Sequence, residues 1–280
     1  MRLRVLITLV VLGAGLGAEE RFPPPEFESG YQLPSMTWPH PRQTWHEWLD
    51  VALLAVALGL GIHLVHRRRS RTAMAWLTAT CLVYFGFYRE GCICPVGSIQ
   101  NVTLTLSDGG YTLPVTVALG FALPLVVALL WGRIFCGGVC PLGAIQDLVL
   151  VRAVRVPGWL DRALRLLPHA YLGLTILYVA TGTLFAICKY DPFVAAFRLS
   201  GSFTMLLVGA ALLLMATSVA RPYCRYLCPY GVLLGWCSRL SWRRVTITPD
   251  VCTSCDLCHD ACPFGAIVPP APSTLLEGGG

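Results

Sequence analysis

Residues 112–143 read TLPVTVALGFALPLVVALLWGRIFCGGVCPLG, an uncharged apolar run followed by two cysteines with the spacing C-x-x-x-C-P. The run, 112–132, is close to the roughly 20 residues that a helix needs to cross about 30 Å of hydrocarbon. The same order recurs 88 residues later, where the apolar run 199–220 leads into RPYCRYLCPYG (221–231). The repetition predicts two related helix ends, each supplying two thiolates to one four-cysteine site. The four cysteines are Cys136, Cys140, Cys224 and Cys228.

Three more uncharged stretches, 51–65, 73–88 and 170–188, bring the total to five. The composition agrees with them, since 55% of the residues are hydrophobic and 13% are charged, against about 25% charged in an average soluble domain. A chain this apolar must place much of its surface in lipid, which excludes an ordinary water-soluble enzyme. We therefore predict an all-α membrane protein with about five transmembrane helices.

The first 18 residues have the layout of a secretory signal, with Arg2 and Arg4 before an apolar run that ends in small residues. This segment is either a cleaved signal peptide or a retained signal anchor, and in both cases it directs residues 19–48 outward. Residues 19–48 are rich in proline and aromatic residues, and we interpret them as an extracytoplasmic linker. Residues 49–244 then form the transmembrane domain.

Lysine and arginine residues are distributed unequally between the loops of this topology. Fourteen lie on the side that follows the first, third and fifth apolar stretches, and five lie on the opposite side. Because cytoplasmic loops carry the excess of basic residues, the first side is predicted to be cytoplasmic in a bacterial inner membrane. The basic residues form no continuous stripe, so we expect no nucleic-acid partner. Residues 269–280 are expected to be a disordered tail.

The C-terminal part contains the run C-x-x-C-x-x-C-x-x-x-C-P, which is the spacing of bacterial ferredoxin cluster loops. Three closely spaced thiolates can reach three irons of one cubane, and the fourth completes this cluster or a neighbouring one. Structural zinc usually binds two separated C-x-x-C knuckles, so we expect iron. Residues 245–268 are therefore predicted to be a small cytoplasmic ferredoxin-like α+β module, which makes two [4Fe–4S] clusters in all. Its ligands are Cys252, Cys255, Cys258 and Cys262.

A further copy of the C-P-x-G segment begins at Cys94, with Glu90 in place of the earlier cysteine and an additional Cys92. The loop count places these residues and Cys188 on the outer side, across about 30 Å of hydrocarbon from the cytoplasmic clusters. The three cysteines either form a third metal or redox-active site, with Asp191 or Glu90 as a fourth ligand, or only pack in a decayed repeat.

The two paired motifs (133–143 and 221–231), the segment CKYDPF (188–193) and the cysteine run from Cys252 resemble those of membrane polyferredoxins related to NosR and NapH. The likeness covers about residues 85–268. By this resemblance, the cysteines of the paired motifs and of the first ferredoxin loop are the cluster ligands. The chain departs from the family pattern in two respects: residues 19–48 do not match a flavin-binding periplasmic domain, and the usual second ferredoxin loop is missing.

Members of this family pass electrons between the quinone pool or cytoplasmic donors and periplasmic reductases, so the resemblance implies the same role for this protein. The sequence shows no Ser/His/Asp arrangement, phosphate-binding glycine loop or dinucleotide fingerprint, which favours an electron carrier subunit over a stand-alone enzyme. An assembly, maturation or redox-sensing factor for a periplasmic metalloenzyme is the alternative. A thiol–disulfide relay through Cys92 and Cys94 would lack the thioredoxin-type C-x-x-C motif on a βαβ unit.

Overall fold

The computed structural model describes residues 44–89, 95–107, 111–154, 156–181, 191–198 and 203–243, with the isolated positions Cys258, Cys262 and Ile267. Within these ranges every regular element is a helix. The predicted signal, most of the linker, most of the ferredoxin module and the tail lie outside the described residues.

Twelve α-helices occur in the described part of the chain. In chain order they are α1 (Thr44–His63), α2 (Arg71–Cys81), α3 (Pro95–Ser107), α4 (Val115–Trp131), α5 (Ile134–Gly138), α6 (Pro141–Val149), α7 (Gly158–Leu164), α8 (Leu167–Ala180), α9 (Pro192–Arg198), α10 (Phe203–Ala216), α11 (Pro222–Tyr226) and α12 (Pro229–Arg239). Two of them continue into π-helix: α1 through Leu64–Arg68 and α2 through Leu82–Tyr88.

Two helical runs in the described part are long and apolar enough to cross a membrane: Trp45–Arg68, with a mean hydropathy of 2.0, and Gly158–Ala180, with 1.3. Helices α4 and α10 are also apolar but shorter, at 17 and 14 residues. The described residues therefore form an all-helical protein with two candidate membrane spans. The topology of five spans stays a prediction.

Helix α1 begins at Thr44, earlier than the predicted end of the linker at residue 48. Glu47 lies in its first turn, where a negative charge stabilises the positive end of the helix dipole. The Glu47 carboxylate also accepts a hydrogen bond of 2.7 Å from Thr116 Oγ1 on α4. The last residues assigned to the linker therefore belong to the first helix, because these polar contacts stabilise its start.

In the described part of the chain, the proline of a Cys-Pro pair is the first residue of a helix in three places, since α3, α6 and α12 begin at Pro95, Pro141 and Pro229. Proline suits the first helical position because it has no N–H to satisfy and its φ is already helical. The search for 20-residue apolar stretches misses these three helices, which have 13, 9 and 11 residues. The paired motifs are therefore helix starts as well as helix ends.

These short helices pack into the bundle. Helix α12 lies along α4, α3 lies along α8, and α6 packs against both α10 and the π-helical continuation of α2. A helix that follows a paired motif thus turns back among the apolar helices. This arrangement brings the ends of several helices close to the cysteines.

A buried carboxylate on α1 contacts the end of the helical segment that α2 and its π-helical continuation form. Asp50 is only 2% exposed. It accepts a hydrogen bond of 2.8 Å from the Tyr84 hydroxyl and forms an ion pair with Arg89. A buried ion is tolerated only when it is paired and hydrogen-bonded, so this junction requires all three side chains.

We expect Asp50→Ala to lower the free energy of unfolding by about 3–5 kcal/mol, because it leaves the Arg89 guanidinium without its partner. Glu47→Ala, the matched control on the same helix, removes the hydrogen bond to Thr116 and should cost about 1 kcal/mol. Denaturant unfolding of the detergent-solubilised protein measures both. Equal losses for the two variants would contradict a special role of the Asp50 junction.

Candidate metal centre

A cavity of about 530 Å³ lies between the two paired motifs, and all four of their cysteines line it. We call it the four-cysteine cavity. Each of the four side chains is partly exposed, because it faces this space. In the described part of the chain no three His, Cys, Asp or Glu side chains lie close enough together to hold a single metal ion. The four thiols therefore line a shared volume without being close enough together to bind a single ion.

The two paired motifs have the same local backbone structure. In each, the N–H of the second cysteine donates to the carbonyl of the residue before the first cysteine, with 2.9 Å for Cys140 to Phe135 and 2.9 Å for Cys228 to Tyr223. Both second cysteines then have an extended backbone, with ψ of 118° and 110°, and precede the proline that starts a helix. The repeated sequence therefore produces a repeated turn that directs two thiols to one side.

The glycine of each C-P-x-G segment allows a close approach of backbone. A Cβ at Gly143 would lie 3.0 Å from the carbonyl oxygen of Cys136, and a Cβ at Gly231 would lie 3.4 Å from that of Cys224. Glycine has no side chain to occupy this space. The helix after each motif can therefore pack directly on the turn that carries the first cysteine.

Burial raises the pKa of all four thiols. The pKa of Cys136 rises to about 12, first through burial and then through the neighbouring Cys140, while nearby arginines oppose the shift. The pKa values of Cys224 and Cys228 lie well above the ordinary value for the same leading reason. Cysteine binds metal as the thiolate, so binding of a metal group here would release four protons. The positive charge of the metal would then stabilise the four buried thiolates.

Two arginines at equivalent positions connect one motif to the helix that follows the other. Arg221, at the start of the second motif, donates Nε to Asp147 Oδ1 on α6 at 2.7 Å, and it also contacts the carbonyl of Cys136. Arg133, at the start of the first motif, donates Nε to Ser238 Oγ on α12 at 3.3 Å. These two contacts connect the half of the cavity that each motif forms to the half that the other motif forms.

The second motif has another anchor on α7. Asp161 accepts a hydrogen bond of 2.8 Å from the Tyr226 hydroxyl, and its carboxylate lies 2.7 Å from Arg225 Nη2. The hydrogen bond to this carboxylate contributes, after burial, to raising the pKa of Tyr226 to about 12. Tyr226 therefore keeps its proton and acts as a fixed donor that holds the turn around Cys224.

Gln146 is a site residue that the cysteine spacing does not reveal. It is fully buried on α6, and its Nε2 lies 3.4 Å from Cys224 Sγ. A comparison of the two repeats would have detected it, because the residue 88 positions later is Leu234. The copy that begins at Cys94 also has a glutamine at this position, Gln100. A glutamine in two copies, where the second paired motif has leucine, is the available sequence signal.

Cys92, Cys94 and Cys188 lie outside the described residues, and the outer redox site stays a prediction. Pro95, which directly follows Cys94, lines the four-cysteine cavity. Asp191 accepts a hydrogen bond of 2.6 Å from the hydroxyl of Tyr223, the residue before Cys224. If these segments lay on the membrane face opposite the paired motifs, about 30 Å would separate the two. That prediction is wrong for Pro95 and Asp191, which lie beside the paired motifs.

Helix α6, which follows Cys140, packs against α2 and against its π-helical continuation, which together form the helical segment 71–88. Cys81 of that segment is buried in the hydrophobic core against which Cys140 packs. The depth of the four-cysteine cavity in the membrane stays a prediction.

The predicted ferredoxin loop is described at two positions. Cys258 is exposed and Cys262 is partly buried, while Cys252 and Cys255 lie outside the described residues. The geometry of a second cluster is therefore not seen, and that cluster stays a prediction.

Comparison with known families identifies the two cysteine regions separately. Residues 113–166 and 202–248 match the family model of a 4Fe-4S binding domain, and residues 245–268 match the model of a second 4Fe-4S binding domain. The first match includes both paired motifs, and the second includes the run Cys252–Cys262. The presence of 4Fe–4S binding domains is thereby confirmed.

Several curated proteins are similar to the chain. YccM of Escherichia coli, named as an electron transport protein, is 28% identical over 84% of this chain and 69% of its own length. The protein NosR of Pseudomonas aeruginosa, named as a regulatory protein, is 31% identical over 78% of this chain. NirI of Paracoccus denitrificans is 29% identical over 68% of this chain. The chain covers 33% of the length of NosR and 30% of that of NirI. No solved structure matches the chain.

We expect Gly143→Ala to reduce the iron bound by the anaerobically purified protein more than Gly231→Ala does. The added methyl at 143 meets the Cys136 carbonyl at 3.0 Å, so backbone must move, whereas 3.4 Å at 231 is near ordinary contact. Iron content per chain and thermal stability measure the difference. A larger effect at Gly231 would contradict the packing described for the two turns.

Proposed function

From its 4Fe-4S binding domains and its distant relationship to NosR, NirI and YccM, we propose that the protein is a membrane-bound iron–sulfur electron-transfer protein. The observation that carries this proposal is the convergence of four thiols, from repeats 88 residues apart, around one cavity. Cys136, Cys140, Cys224 and Cys228 hold one [4Fe–4S] cluster. Cys252, Cys255, Cys258 and Cys262 hold the second.

The residues of the four-cysteine cavity fit such a group. Thiolates are the usual ligands of cubane clusters, and a cluster with four thiolates is anionic in both of its working redox states. Arg133, Arg221 and Arg225 line the same cavity and provide positive charge. When bound, the cluster would accept and release one electron. The surrounding side chains fix its position, exclude water and set its potential.

The packing of the cavity suits electron transfer in a membrane. Cys140 precedes α6, which packs against the helical segment 71–88, one of the five proposed spans. A cluster held by Cys140 would therefore lie beside that span. In the proposed role, electrons pass between the quinone pool or a cytoplasmic donor and a periplasmic acceptor or reductase.

The proposed location is the inner membrane, with the ferredoxin module in the cytoplasm. Two candidate membrane spans and the unequal distribution of basic residues support this location. A quinol and a periplasmic reductase or electron carrier are the proposed partners, together with the lipid bilayer. Five spanning helices and a further redox site at Cys92, Cys94 and Cys188, formed by redox-active thiols or by a third metal, are further parts of the proposal.

We expect protein purified without oxygen to contain about eight iron and eight sulfide per chain, one cubane for each set of four cysteines. Cys136→Ser or Cys224→Ser should remove about half of the iron, and Cys255→Ser about the other half. Cys237→Ser is the matched control, because Cys237 packs against the hydrophobic core and should leave the iron unchanged. Tightly bound zinc without absorption near about 400 nm would contradict the assignment.

A second function is favoured by the names of two relatives, since NosR of Pseudomonas aeruginosa and NosR of Stutzerimonas stutzeri are both named as regulatory proteins. In that role the clusters would sense redox state or assist maturation of a periplasmic metalloenzyme. We expect instead that the clusters are reduced by a quinol analogue or a reduced ferredoxin and reoxidised within a catalytic cycle. Stopped-flow absorption measures this, and clusters that no donor reduces on this timescale would favour the accessory role.

A further inference from the structure

The two halves of the four-cysteine cavity share a backbone structure but differ in one side chain. Gln146 on α6 and Leu234 on α12 occupy equivalent positions of the repeat, and they are 0% and 1% exposed. A leucine side chain has no hydrogen-bond donor. The amide of Gln146 has two, and it belongs to the half that faces Cys224 of the other motif.

Three hydrogen bonds fix the orientation of the Gln146 amide. Its Oε1 accepts from the backbone N–H of Tyr223 at 3.0 Å, so the amide nitrogen must lie on the other side. The Nε2 group donates to the carbonyl of Leu142 at 2.6 Å and to Cys224 Sγ at 3.4 Å. Both donors are therefore used, and a flipped amide would place two N–H groups against each other at Tyr223.

Backbone donors, by contrast, are present at the second cysteine of each motif. Gly231 N–H donates to Cys228 Sγ at 3.3 Å. At Cys140 the backbone N–H groups of Gly143 and Leu142 lie near the thiol, but they form no capping hydrogen bond to it. Both arrangements follow from the shared turn. The side-chain donor at Cys224 is thus an addition to the common pattern.

Hydrogen bonds to ligand sulfurs are one of the means by which a protein sets the potential of an iron–sulfur cluster. A donor stabilises the reduced cluster more than the oxidised one, because the reduced cluster is more negative. The effect is strong where water is excluded, as around Gln146. Arg221 is also close, but the Asp147 carboxylate pairs with its guanidinium and offsets its charge.

We propose that Gln146 is a positioning residue that raises the reduction potential of the cluster in the four-cysteine cavity through its N–H donation to Cys224. This inference rests on the proposed function, since it requires a cluster at Cys136, Cys140, Cys224 and Cys228. It makes the potential of that cluster depend on a residue that the paired motifs do not contain.

Gln146→Leu tests the proposal, because it copies the residue of the other repeat and removes the donor with little change in volume. We expect the reduction equilibrium to shift about tenfold toward the oxidised cluster, which is about 59 mV for a one-electron couple, with unchanged iron content. A redox titration followed by electron paramagnetic resonance measures the shift. The signal that disappears in Cys224→Ser identifies the relevant cluster.

Gln100→Leu is the matched control. Gln100 on α3 is also fully buried, and it occupies the position equivalent to Gln146 in the copy of the repeat that begins at Cys94, outside the two paired motifs and the helices that follow them. This variant should leave the potential at the wild-type value. An equal shift in both variants would overturn the proposal, because it would show a general effect of losing a buried amide.

A wild-type potential in Gln146→Leu with full iron content also overturns the proposal, and the proposed function then remains. If the leucine variant loses iron, Gln146→Met decides, because methionine is close to glutamine in length, is uncharged and has no N–H donor. A lowered potential in this variant supports the proposal, whereas loss of iron in both variants shows a structural role and overturns it. Wild-type protein without any [4Fe–4S] signal would overturn the proposed function itself.

Discussion

Enclosing four thiols from distant parts of the chain around one buried volume is the constraint on which the rest of the structure depends. A buried thiolate is unfavourable unless a metal or another positive charge compensates it, and the raised pKa values of Cys136, Cys224 and Cys228 express this cost. The protein fold must therefore hold the four thiols near one another before any metal group binds. The proline that starts each following helix and the glycine that allows it to pack on the turn serve this purpose in both repeats.

The two repeats also depend on each other. One motif contributes two cysteines, so neither can form a four-thiolate site alone. Arg221 pairs with Asp147 across the cavity, and Arg133 reaches Ser238 in the opposite direction. These contacts connect segments that are far apart in sequence, so each repeat helps to hold the other in place. The family model of a 4Fe-4S binding domain matches residues 113–166 and 202–248, and each of these ranges contains one of the two motifs.

The sequence predicted the helical class and the grouping of Cys136, Cys140, Cys224 and Cys228, because apolar runs and repeated cysteine spacings are periodic signals. It did not predict that Pro95 and Asp191 lie beside this cavity. The count of basic residues treats each apolar stretch as a straight span, and it carries no information on short helices such as α6 that fold back. Gln146 was missed because only the cysteines of the repeats were compared, and not the residues that follow them, where Gln146 is equivalent to Leu234.

The separation of the two repeats along the chain has a consequence for biosynthesis. Cys136 and Cys140 leave the ribosome 88 residues ahead of their partners, which corresponds to roughly 4–18 s at usual rates of synthesis. No complete ligand set exists during this interval. In the folded site the elevated pKa of Cys136 and Cys140 keeps the thiols protonated, and protonated thiols are poor nucleophiles. After the helices have packed, the burial that keeps these thiols protonated also protects them from oxidation until a metal group binds.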